Sequence, residues 1–184
     1  VDLDRMLSER NDKDAFDDDD VVVEQFWTIA SLAARAIGAV HARDAVHNDI
    51  NPRNLLLDRR NESSLRVVLV DFGLAAPMSS LEDASYRAPL YAAAYAAPEA
   101  HSPSLRPAAN GASDVWSLAL TLLHCWTGRI YWIPTVRSNS DGIYRWTEDA
   151  VNATIEFANS VRTLPESATR TLRRALSLDP QHRP

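Results

Sequence analysis

Between about Val21 and His41, apolar residues recur at three- and four-residue steps: Phe26, Ala30, Ala33, Ile37 and Val40 fall on one stripe. That spacing predicts an amphipathic helix with the stripe turned to a core. Ahead of it, residues 1–10 read as a helical turn or two, with Leu3, Met6 and Leu7 on one side. After it, Arg43-Asp44 breaks the pattern and Ala45-Val46 leads into a polar stretch from His47 to Asn54. Leu55-Leu56-Leu57 and the run from Leu65 to Val70 are strand-like, and the polar residues from Asp58 to Ser64 predict a turn between them. A small antiparallel pair of this kind sets Asn54 and Asp71 at neighbouring ends.

Residues 74–96 are rich in Ala, Ser, Pro and Tyr without steady periodicity, which predicts a long surface segment. A second loop is expected from His101 to Ala112. Ser113 then reads as the N-cap of a helix running to Trp126, with Gly128 as its stop. This helix is apolar nearly all round, which places it in the middle of a domain. Two further helices are expected around Thr147–Val161 and Pro165–Leu176, after an aromatic and polar loop over 131–146.

Charge and composition narrow the picture. The net charge is −6, of which −5 lies in residues 11–20, an acidic loop with six aspartates against Lys13. The remainder is near neutral, so no basic face points to a nucleic-acid partner. Cys125 is the sole cysteine, which rules out an internal disulfide and suggests a cytoplasmic, intracellular setting. The most apolar run, Val115 to Trp126, is interrupted by Ser117, Thr121 and His124 and is too short for a bilayer, so no membrane partner is expected. A start on Val and a stop at Pro184 lead to the expectation of a piece of a longer protein.

The chemistry concentrates in His47-Asn48-Asp49-Ile50-Asn51-Pro52-Arg53-Asn54 and in Asp71-Phe72-Gly73. Asp49, Asn54 and Asp71 are oxygen ligands or proton acceptors of the kind a magnesium–phosphate site needs. The two stretches resemble the H-x-D-x-x-x-x-N catalytic loop and D-F-G turn of protein kinases. Three later landmarks follow in the order those enzymes use: Ala97-Pro98-Glu99, Ser113-Asp114-Val115-Trp116-Ser117 and Leu176 to Pro184. Any one is a weak signal, whereas the ordered set covers nearly the whole chain.

The resemblance implies an α+β, mostly α-helical fold: residues 1–184 as the large C-terminal lobe of a kinase domain, with a small antiparallel β pair and the small N-terminal lobe absent. It implies ATP and Mg2+ as cofactors, a protein substrate, and the missing N-terminal lobe as a partner. By that resemblance Asp49 accepts or orients the substrate hydroxyl proton, and Asn54 and Asp71 hold magnesium. Leu56 lies under the adenine, Asp114 holds the backbone of the polar loop, and Glu99 pairs with Arg183. His47 is expected to pack on Phe72, and Cys125 to be a core thiol.

Departures accompany the match. Lys13 is the sole lysine and no G-x-G-x-x-G occurs, so half of an ATP cleft is not encoded here and the 184 residues alone are expected to be inactive. Asn48 stands where most kinases carry Arg, Asn51 where Ser/Thr kinases place a lysine, and Ala92 where they place a threonine. Arg53 matches the arginine position of tyrosine kinases and is the candidate for the charge that Asn51 lacks. Two other readings stay open at this point: a pseudokinase or scaffold module on the same fold, and a small-molecule phosphotransferase of the aminoglycoside- or choline-kinase type.

Overall fold

A computed structural model describes residues 3, 19–61, 64–78, 94–101, 111–132 and 145–184. Helix α1 spans Asp19–His41 and buries Ile29, Ala30, Ala33 and Ile37. The predicted stripe therefore faces the core, and the helix begins in the last two aspartates of the acidic run. Leu3 is buried as expected, while Met6, Leu7 and Asp12 to Asp18 lie outside the described residues.

After α1 come β1 (Ala45–Val46), a 3-10 turn at Pro52–Asn54, and the hairpin β2 (Leu55–Asn61) and β3 (Ser64–Leu69). The hairpin is antiparallel, with Leu55 opposite Leu69 and Leu56 opposite Val68. Alternation puts Leu55, Leu57 and Leu69 into the core, and Leu56 with Val68 on the outward face, where Val68 is exposed. The strand β2 runs through Asp58 to Asn61, which the polar composition had assigned to a turn. Ladder bonds use the backbone alone, so polar side chains do not prevent them. A further strand, β4 (Ala76–Pro77), pairs with β1.

Helix α2 (Gly111–Thr127) separates two apolar clusters and feeds both. Trp116, Leu120 and Leu123 join one cluster with Trp132, Val151, Ile155 and Leu172, while Leu118 and Cys125 join the other with Ile29, Ile37, Ile50 and Leu55. That double duty is why the helix is apolar all round. Each large side chain fully buried here is worth about 1.5–3 kcal/mol. Gly128 ends the helix at φ 71°, its N–H donating to His124 O at 2.8 Å. The start differs from expectation. Ser113 sits inside the first turn, and its hydroxyl donates to Glu99 Oε1 at 3.0 Å instead of capping.

Helices α3 (Glu148–Val161) and α4 (Glu166–Ala175) complete the layer against α2. Thr147 caps α3 by accepting from Ala150 N at 3.1 Å. A final 3-10 turn at Pro180–His182 brings Arg183 back beneath α2. No described helix is long and apolar enough to cross a membrane.

Candidate active site

The polar loop is held from below by one carboxylate. Asp114 is 1% exposed; its Oδ2 accepts from His47 N at 2.8 Å and from His41 Nε2 at 2.9 Å, and its Oδ1 accepts from Asn48 N at 2.9 Å. A carboxylate taken from water needs such donors, and here they come from the loop it positions and from the end of α1. His41 was not foreseen. Its ring also lies against Gly111, where an added Cβ would meet Nδ1 at 2.8 Å, so the start of α2 must be bare for the imidazole to fit.

The two-residue β1–β4 ladder ties the start of this loop to the chain beyond Phe72-Gly73. His47 Nε2 donates to Val70 O at 3.0 Å, its Nδ1 accepts from Asp49 N at 3.3 Å, and its ring lies 4.7 Å from that of Phe72. Asn48 has φ 65°, a left-handed conformation that asparagine tolerates well. Its side-chain amide donates to Leu74 O at 3.1 Å, so the residue that replaces the usual arginine links the two polar segments directly.

Asp49 is buried and receives an amide on each carboxylate oxygen. Asn51 Nδ2 donates to Oδ1 at 3.0 Å and Asn54 Nδ2 to Oδ2 at 2.7 Å. Both amides also reach Asp49 O, at 3.1 and 2.8 Å. Burial pushes the Asp49 carboxyl above the ordinary aspartate value; the Asn54 and Asn51 amides and the nearby His47 oppose this, and the charge of Asp71 reinforces it. Asp71 is exposed, has φ 61°, and accepts from Gly73 N at a long 3.4 Å.

Asp49, Asn51, Arg53, Asn54 and Asp71 line one cavity of about 480 Å³, so the structure brings together four of the five sequence candidates. Leu56 does not line it; it lies on the outward face of the hairpin. Tyr95 and His124 form the far wall, joined by a 2.8 Å hydrogen bond between Tyr95 Oη and His124 Nδ1. The visible signal for His124 was a polar residue interrupting the most apolar run.

The donor set fits a hard cation. The Asp71 carboxylate and the Asn54 amide oxygen are too few for an all-protein cage, and no cluster of three or more His, Cys, Asp or Glu suited to a metal occurs among the described residues. That is the usual situation of magnesium, which keeps waters and takes phosphate oxygens. Asn54 spends its NH2 on Asp49, which reserves its Oδ1 for such a role.

Beneath the site, Arg183 Nη1 and Nη2 meet Glu99 Oε1 and Oε2 at 2.5 and 2.9 Å, both residues being buried. The guanidinium also donates to Ser177 O and Ala112 O and lies 4.9 Å from the Trp116 ring centre. This bidentate pair joins the Pro98–His101 turn to the end of the chain.

A loop carrying an aspartate and an asparagine, a second acidic turn beside it, and a buried Glu–Arg tie across the base together define a kinase-like lobe. The sequence profile of the protein kinase domain matches residues 3–184, and the chain belongs to that family. It is 27% identical over 169 residues to serine/threonine-protein kinase 33 of Bos taurus, covering 87% of this chain and 32% of that protein. To mitogen-activated protein kinase kinase 1 of Arabidopsis thaliana it is 37% identical over 95 residues, covering 51% of this chain and 24% of that protein. The crystal structure of the Mycobacterium tuberculosis PknI kinase domain superposes with a TM-score of 0.57 at 20% identity, covering 100% of this chain and 56% of that one. The chain thus spans about a third or less of the curated relatives it matches here, and about half of a solved kinase domain. Family membership decides against the aminoglycoside- and choline-kinase reading.

Proposed function

We propose that residues 1–184 are the C-terminal lobe of a protein kinase domain that transfers the γ-phosphoryl group of ATP to a protein hydroxyl. The observation that carries this is the Asp49 carboxylate, held by Asn51 and Asn54 and sharing one cavity with Asp71. In this reading Asp49 orients the acceptor hydroxyl and takes its proton, and Arg53 offsets charge on the transferring group. Asn54 Oδ1 and the Asp71 carboxylate would hold Mg2+, which would neutralise phosphate charge when bound. Leu56 and Val68 present an apolar surface to the adenine and to an N-terminal lobe. Transfer chemistry of this kind is mostly positioning and charge stabilisation, and the pre-bonded loop supplies positioning. The Ser/Thr class is favoured as acceptor by the similarity to serine/threonine-protein kinase 33, within an intracellular setting.

Nucleotide binding tests the reading. A chain in which a kinase N-terminal lobe precedes Val1 is expected to bind ATP with magnesium-dependent affinity by calorimetry. Asp71→Asn should weaken binding at least tenfold with magnesium and leave it nearly unchanged without. Equal binding with and without magnesium would support the scaffold reading instead.

A further inference from the structure

Asn51 replaces a position that carries charge in Ser/Thr kinases, and its side chain is nevertheless buried and fully engaged. Its Oδ1 accepts from Arg53 N at 3.0 Å, while its Nδ2 donates to Asp49 Oδ1 at 3.0 Å and to Asp49 O at 3.1 Å. The residue itself is extended, with φ −156° and ψ 168°, and caps the 3-10 turn whose last residue is Asn54. We propose that Asn51 is a positioning residue that fixes Asp49 to the turn carrying Arg53 and Asn54. The proposal rests on the phosphoryl-transfer reading of this same site.

The argument is one of donor and acceptor inventory. The bond from Arg53 N needs an acceptor, and the bonds to Asp49 need a donor, on one short side chain. A carboxamide carries both at opposite corners of a rigid plane. Aspartate could accept from Arg53 N but would set a second carboxylate against Asp49. Lysine could donate to Asp49 and would add charge, but could not accept from Arg53 N. Leucine has the volume and neither function. With Asn54 bonding the other carboxylate oxygen, the plane of Asp49 is set from both sides before any ligand arrives. The task of the missing lysine is thereby divided: orientation goes to Asn51, and charge to Arg53.

The test is the titration of Asp49 itself, followed by carboxyl 13C resonances in the 184-residue chain. Amides that bond the ionised form hold a carboxyl's pKa down, and an added charge moves it further. The expected order of Asp49 titration is lowest in Asn51→Lys, then wild type, then Asn51→Leu, and highest in Asn51→Asp. Asn51→Leu should titrate about one pH unit above wild type, the size expected for a lost hydrogen bond to a charged group. A residue that merely filled space would leave Asp49 unmoved in Asn51→Leu, and that result would overturn the proposal. Should Asn51→Leu fail to fold, Asn51→Ala takes its place: it removes the amide without adding charge, and an Asp49 titration equal to wild type in it overturns the proposal. No turnover is needed, so an inactive lobe-complete kinase would sink the phosphoryl-transfer reading and leave this order intact.

Discussion

The two acidic segments of the site are built in opposite ways. In the first, His47, Asp49, Ile50, Asn51 and Asn54 are all buried, and the backbone hangs from Asp114. In the second, Asp71, Phe72 and Gly73 are all exposed, Phe72 by 50%, and the Asp71 carboxylate keeps one long bond to its own turn. The first segment is therefore part of the folding core and is pre-organised by it. The second is an exposed turn that the described residues hold only lightly. Stability and function should separate along this line: substitutions under the loop unfold the lobe, while substitutions in the turn spare the fold and disable binding.

The largest effect should come from the Glu99–Arg183 pair. Glu99→Gln or Arg183→Met leaves an unmatched charge where both partners are buried, and is expected to cost about 3–5 kcal/mol by urea unfolding. A cost below about 1 kcal/mol would show that the base of the lobe does not depend on the pair.

Asp114→Asn comes next. It turns one acceptor into a donor facing amide or imidazole N–H groups, and about 2–3 kcal/mol should be lost, since a buried unsatisfied group costs about 1–3 kcal/mol. Gly111→Ala is smaller. Its Cβ would press on His41, and an overpacking cost of about 1–2 kcal/mol is expected, relieved in the double variant with His41→Ala. Additive costs in the double variant would mean that the two residues do not share this contact. Against these, Asp71→Asn should shift stability by no more than about 0.5 kcal/mol, as for an exposed substitution away from the core. A large loss there would erase the contrast between the segments.

Local pattern carried much of this fold. The stripe on α1, the all-apolar α2 and the hairpin alternation each have a periodicity that exposes their burial. The motifs carried Asp49, Asn54, Asp71, Asp114, Glu99 and Arg183. What stayed hidden has no local signature. The β1–β4 ladder is two residues long, too short for a period. Ser113 looks like a cap until Glu99 arrives from a distant turn to take its hydroxyl. Asn48 and Asn51 read as lost charges, and only the folded loop reveals the bonds they make instead. His41 and His124 are single histidines in helices, and their partners, Asp114 and Tyr95, are 73 and 29 residues away.

The most direct test is phosphoryl transfer from labelled ATP to a protein substrate, measured across pH in a lobe-complete chain and its Asp49→Asn variant. Asp49 must be ionised to take a proton, and burial holds its pKa above the ordinary aspartate value. Transfer should therefore fall on the acid side at a pH above that of an exposed aspartate. The sign for stability is opposite: the fold favours protonated Asp49, so this group alone costs stability as pH rises through that window. Acid loss of activity should thus occur without any loss of stability from Asp49, whose protonation favours the fold. Asp49→Asn is expected to slow transfer by about 10²–10⁴-fold at neutral pH. Equal rates for variant and wild type would contradict the assignment of Asp49 as the catalytic base.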